Sequence, residues 1–204
     1  MSECPLCAEP NVQTVEVRDD IFRCKCPRCG VFEISWEVLN YSDQLPPPDE
    51  RYLLSGEARN RFIRDSGHPL VLSTDSVKVA MGRLSRLTVI DKAAAILSYL
   101  AVISKYPGDE VDFRPEMDYT IAYASNSDEF RYLLSYLKNR GLVETAAPLG
   151  GPVNCTLTVD GWEEAQRDRT DPVLSGRAFV AMSFSSELST TTLSDCKLRE
   201  SMLC

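Results

Sequence analysis

Apolar and polar residues alternate with a period that changes along this chain. Between residues 11 and 36, NVQTVEVR, IFRCKC and GVFEISW carry short runs rich in β-branched and aromatic residues, which predicts three strands. Asp19 and Asp20 supply the turn that folds the first two into a hairpin. LPPPDE at 45–50 interrupts regular structure, and beyond it the period becomes helical. Asp49 is the expected cap of a helix from Glu50 to about Ser66, with Tyr52, Leu53, Phe62 and Ile63 on one side and Gly67 and Pro69 at its end. STDSVKVAMGRLSRL predicts a second helix, capped by Ser73 or Thr74 and burying Val77, Met81, Leu84 and Leu87. DKAAAILSYLAVISKYPG predicts a third, with Ile96, Leu97, Leu100 and Ile103 inward and Pro107 and Gly108 as the stop.

After a short segment around DYTIAYA, SDEFRYLLSYLKNRG predicts a fourth helix. Its N-cap is Ser127 or Asp128, its buried stripe Phe130, Leu133, Leu134 and Leu137, and its terminator Gly141. LVET and CTLTV read as two strands around the loop APLGGPVN, and DGWEEAQRD as a helix beginning at Asp160. Ala178 to Met182 is a near-continuous apolar run, as in a strand buried on both faces. Polar low-complexity sequence follows it.

Composition narrows the function classes. Of 204 residues, 44% are hydrophobic and 25% charged, which excludes wholesale disorder. No apolar run is long enough to span a bilayer. The N-terminus has no basic stretch followed by an apolar one, so the expectation is a cytoplasmic chain without a secretory leader. A net charge of -8 argues against general affinity for nucleic acid or anionic membrane. Only residues 51–92 are basic, with eight Lys or Arg against four Asp or Glu. Arg59, Arg61, Arg64, Lys78, Arg83 and Arg86 lie there, either as a surface for phosphate or an acidic partner or, as favoured here, as a solvated face pairing with the acidic cysteine-bearing segment next door. His68, the lone histidine, sits in the turn GHP and reads as a loop residue.

Cysteine placement carries the chemistry. Five of the eight cysteines fall in the first 29 residues, and in a reducing compartment metal ligation explains that crowding better than disulfides. CPLC at 4–7 and CPRCG at 26–30 each offer two thiolates on a short turn, so Cys4, Cys7, Cys26 and Cys29 are the expected ligands of a zinc ion. Cys24 in CKCPRC is left as a spare thiol. A redox role for CxxC would want a βαβ setting, and none is present. Zinc with four thiolates adds about -2 to an already acidic segment, making it a poor grip for polyanions.

These motifs carry resemblances. Residues 1–40 resemble a zinc ribbon. Residues 91–170, with NRGLVE followed by LTVDGW, resemble a winged helix-turn-helix, joined to the ribbon by a helical linker at 41–90. The winged-helix resemblance implies a groove-binding helix exposing Arg131, Ser135, Lys138 and Asn139, with Arg140 at its end. Residues 93–170 nevertheless hold seven basic residues against twelve acidic ones, which favours a protein-docking or spacer module over DNA binding, with Tyr132 and Trp162 as packing residues. With LLSGEAR and AFVAMSF added, residues 1–188 resemble the front of a prokaryotic family in which such modules precede a TIR-like or nucleoside deoxyribosyltransferase-like domain. That resemblance makes 171–188 a stub of an α/β domain and 189–204 a disordered or frameshifted tail. The whole would be an α+β multidomain chain that stops early and self-associates through the unpaired strand at 178–182.

No glycine-rich phosphate loop and no Ser-His-Asp or Cys-His set is present, so no catalytic residue is expected. The resemblance instead implies a zinc-binding recognition or regulatory module, sensing nucleic acid or protein, that controls an attached nucleotide-processing domain. A stand-alone DNA-binding regulator and a purely structural scaffold are the alternatives.

Overall fold

The β-branched runs at the front of the chain form the three expected strands, β1 Gln13–Arg18, β2 Ile21–Cys26 and β3 Gly30–Ser35. They pair antiparallel, with Cys24 opposite both Thr14 and Phe32, so Cys24, Phe32 and Ile34 turn to one face and are buried. This computed structural model describes residues 3–10, 12–65, 67–146 and 151–170. The expected strand and self-association site at 178–182, and the tail at 189–204, lie outside them. The described fold is mixed α+β, with seven α-helices and two sheets. No helix among the described residues is long and apolar enough to cross a membrane.

The connection at 41–90 is not wholly helical. After α1 Trp36–Asn40 and α2 Arg51–Arg64, Leu70–Leu72 forms β4, parallel to β3, before α3 Thr74–Leu84. Three residues are too few for a period to show, but burial alternates as a strand requires: Leu70 and Leu72 point in and Val71 out. Asp49 does not cap α2. Glu50 occupies that position without a side-chain bond, and Arg51 Nε instead donates to the Pro46 carbonyl at 2.9 Å, holding the proline turn. Residues 53–58 of α2 are buried consecutively, because the helix packs against β3 on one side and against the second half of the fold on the other. Ser73 caps α3 through a reciprocal pair of bonds with Ser76.

The second half begins with α4 Val89–Ile103, capped by a Thr88–Asp91 box. It continues through β5 Val111–Phe113, α5 Pro115–Asp118, a 3-10 turn Tyr119–Ala122 and α6 Ser127–Asn139. β6 Val143–Ala146, β7 Val153–Leu157 and α7 Val159–Thr170 follow. The sheet order is β5-β7-β6, all antiparallel. β5 and α5 lack a sequence signal because they are short and charged. Asn126, not Ser127 or Asp128, caps α6. NRGLVE and LTVDGW meet in space: Thr158 Oγ1 donates to the Gly141 carbonyl at 2.7 Å and accepts from the Gly161 amide at 3.1 Å, stitching the end of α6 to the start of α7.

Two apolar cores result. One gathers the three-stranded hairpin sheet with α2, β4 and α3; the other gathers α4, α6, β5, β6 and β7. Ile121, Ala122 and Ala124 belong to the second core, yet Tyr123 belongs to the first. A left-handed backbone at Tyr123, φ 51°, turns its ring across. That conformation costs about 1 kcal/mol for an L-residue. It is offset by burial and by the hydroxyl, which donates to Glu57 Oε2 at 2.8 Å. Arg83 pairs with the other Glu57 oxygen at 2.8 Å.

Glycine permits the closest approaches. A Cβ on Gly56 would overlap the Thr120 carbonyl oxygen, and one on Gly161 the Leu142 carbonyl oxygen. Because backbone must shift in either case, Gly56→Ala and Gly161→Ala should each cost about 1–3 kcal/mol, measured by urea unfolding. Gly82→Ala, which meets open space, should not destabilise.

On the outer face of the first sheet Glu33 is 3% exposed, covered by Arg18 and Arg23. Burial alone would raise its carboxyl, but hydrogen bonds from Arg23 and Arg18 hold it below the ordinary glutamate value. A depressed carboxylate contributes stability above its unfolded value of about 4.3 and loses it as pH falls through the folded one. The melting temperatures of the native protein and Glu33→Gln should therefore differ most near neutral pH and converge in acid. Both arginines are substantially exposed, so screening keeps the difference small.

Candidate metal centre

Two tight turns bring four sulfurs together. Cys4 and Cys7 flank the first turn, closed by the Cys4 amide donating to the Glu9 carbonyl and the Ala8 amide to the Cys4 carbonyl, both at 2.9 Å. Cys26 ends β2 and Cys29 precedes β3, with Gly30 at φ 76° beginning the strand. The hairpin thus delivers the second turn beside the first. Cys4 Sγ lies 3.6 Å from Cys29 Sγ and Cys7 Sγ 3.5 Å from Cys26 Sγ, and all four ligand atoms lie within 4.8 Å of one another. No disulfide joins them; all four are free thiols. Cys4, Cys26 and Cys29 are buried and Cys7 is half-buried. The four could hold a metal ion.

The surroundings treat the four sulfurs unequally. The Cys29 amide donates to Cys26 Sγ at 3.4 Å. Hydrogen bonds from Cys29 and Cys4 pull the Cys26 thiol well below its ordinary value, while the same contact pushes Cys29 up. Arg28, between Cys26 and Cys29, donates to the Cys7 carbonyl at 3.3 Å, pairs with Glu9 at 2.9 Å and lies over the Tyr119 ring at 5.4 Å.

Sequence periodicity does not single out Ser55, yet its Oγ lies 3.0 Å from Cys29 Sγ with the residue fully buried on α2. A neutral hydrogen bond of this kind contributes about 0.5–1.5 kcal/mol net, and a bond to a metal-held thiolate would contribute about 1.5–3 kcal/mol. The available signal is LLSGEAR itself, where a small polar pair interrupts an otherwise apolar helical face.

The other expected site residues lie elsewhere. Of the basic set, Arg59 pairs with Asp118 at 2.6 Å, Arg61 and Arg64 with Asp65, and Arg83 with Glu57. Their partners are on α2, just beyond it or in the second half, not on the acidic hairpin. Lys78 and Arg86 are exposed. On α6, Ser135, Lys138 and Asn139 are exposed, as is Arg140 just past its end. Arg131 pairs with Glu116 at 3.0 Å, Lys138 donates to the Thr145 carbonyl at 3.2 Å and Arg140 to the Tyr136 hydroxyl at 3.2 Å. Trp162 packs against the second core, whereas Tyr132 is 63% exposed on the outer face of α6 and is not a packing residue. His68 is exposed, with Nδ1 2.7 Å from the Asp65 carbonyl oxygen.

No protein-family model, curated protein or solved structure matches the chain.

Cys24 is buried in the first core beside Thr14 and is not one of the four clustered sulfurs, and Cys155 is buried in the second, where desolvation pushes its thiol up to about 12. Cys24→Ala should therefore lower stability by about 1 kcal/mol through lost packing while leaving the metal content per chain unchanged. Elemental analysis beside a thermal melt checks both halves.

Proposed function

We propose that this chain is a zinc-binding recognition module, in which a zinc ribbon and a winged helix-turn-helix read a macromolecular partner and control an attached nucleotide-processing domain. The four-sulfur cluster carries this reading. Zinc bonded to sulfur at about 2.3 Å in a tetrahedron sets sulfurs about 3.8 Å apart. The 3.5 and 3.6 Å separations fall close to that, and the remaining pairs, all within 4.8 Å, need about 1 Å of closure at most. Soft thiolates in a closed tetrahedral set suit zinc and leave no open position for substrate, so the role of the metal is structural.

Recognition is assigned to α6. The order α4, α5 with its 3-10 turn, α6, then β6 and β7 supports the winged-helix reading. Tyr132, Ser135, Lys138 and Asn139 leave its outer face free of the core. Exposed aromatics at such a face favour a protein partner, because they bury large area at low entropic cost. Arg131 is engaged with Glu116, and the acidic excess of this half adds to the argument against DNA.

Two measurements test the proposal. The purified native chain should carry one zinc, lost on Cys4→Ser or Cys29→Ser. Binding to duplex DNA should be weak and indifferent to Lys138→Ala with Arg140→Ala. A steep salt dependence abolished by that pair would replace this reading with a DNA-binding regulator.

A further inference from the structure

We propose that Ser55 is a working part of the metal centre, and that α2 transmits the occupancy of that centre to Asp118–Ala124, the segment that leads into α6. The proposal rests on the zinc reading above and deepens it.

The chemistry begins at Cys29. A metal-bound thiolate accepts hydrogen bonds and cannot donate, so at 3.0 Å the Ser55 hydroxyl is the donor. Donors to ligand atoms orient the ligand and tune the metal's hold on it. Ser55 is fully buried, so water does not substitute for it.

From Ser55 the same helix reaches the second half within five residues. Gly56 lets the Thr120 carbonyl approach, Glu57 accepts from Tyr123 and Asn60 Nδ2 donates to the Ile121 carbonyl at 2.8 Å. Arg59 joins both sides: one guanidinium nitrogen donates to the Arg28 carbonyl, immediately before Cys29, at 2.9 Å, and another pairs with Asp118 at 2.6 Å. Thr120 Oγ1 also reaches the Arg28 carbonyl, at 3.5 Å. The backbone of the second cysteine turn is thus gripped from Asp118–Tyr123 as well as by the metal.

Ser125 continues the path, its amide donating to Glu129 of α6 at 2.7 Å. With zinc bound, the turn is rigid and every partner of Arg28 and Cys29 is in place. When zinc leaves, the turn loses its cross-link, and the carbonyl that Arg59 and Thr120 share is free to move. Linkage makes the effect reciprocal: loosening Asp118–Ala124 must weaken zinc binding by the same factor by which losing zinc loosens that segment.

The test uses the full chain and zinc itself. Affinity is read by competition with a chromogenic chelator, and hydrogen exchange is followed over residues 118–124 with and without zinc. Ser55→Ala should weaken zinc about 10- to 100-fold. With cobalt in place of zinc, the sulfur-to-metal charge-transfer band of Ser55→Ala should move to lower energy, because an unbonded thiolate gives up its electrons more easily. Asp118→Asn, which leaves the cysteine turns intact, should weaken zinc about 5-fold or more. Chelation should speed exchange over 118–124.

Absence of stoichiometric zinc overturns the metal reading and this proposal with it. Stoichiometric zinc with native affinity and an unmoved cobalt band in Ser55→Ala removes Ser55 from the centre. Stoichiometric zinc with native affinity in Asp118→Asn and unchanged exchange on chelation removes the coupling alone. Should Ser55→Ala fail to fold, Asp118→Asn and the exchange experiment still decide the coupling.

Discussion

Everything in this fold depends on the close approach of α2 to the 3-10 turn at Gly56. Without a Cβ there, two backbones come near enough for a run of neighbouring side chains to bond on both sides. Ser55, Glu57, Arg59 and Asn60 each satisfy a polar group that burial would otherwise leave at a cost of about 1–3 kcal/mol. Arg59 and Asp118 are both mostly buried, so their pair matters chiefly through what would be stranded if either were removed. These four side chains lie within about one and a half helical turns.

That concentration explains why the cysteine hairpin needs no separate core. A chain of about 40 residues seldom folds on apolar burial alone. Here Phe32 and Ile34 share a core with Leu53, Leu54 and Ala58 of α2, with β4 and α3 completing it. The four sulfurs then belong to a larger body, and a metal held there would add rigidity to a structure that already has a hydrophobic interior. Tyr123 makes the dependence mutual, because its left-handed backbone commits a residue of the second half to the core of the first.

The exposed face of α6 has a different physical character from this junction. Its cations are held locally: Arg131 by Glu116, Lys138 by a carbonyl of β6 and Arg140 by Tyr136. Tyr132 projects from it with no core to fill. That face therefore presents an aromatic among short-range polar contacts.

Local information sufficed wherever a physical requirement operates over a few residues. The two CxxC turns, the hairpin between them, the helical stripes of α3, α4 and α6 and the glycine ending α6 all obey short periods or spacings, so they are legible in the chain, as is the surplus position of Cys24. β4, β5 and α5 span too few residues for a period to emerge. The roles of Ser55 and Asp118 were beyond local reading for another reason. Their partners lie 26 and 59 residues away, and a serine in a helix looks the same whether it faces water or a sulfur. The sequence by itself determined which four thiols can meet and which of the longer segments are helix or strand. Tertiary structure alone decided that the helix between the two halves bonds to both, because only packing brings a distant carbonyl, carboxylate or thiolate within 3 Å of it.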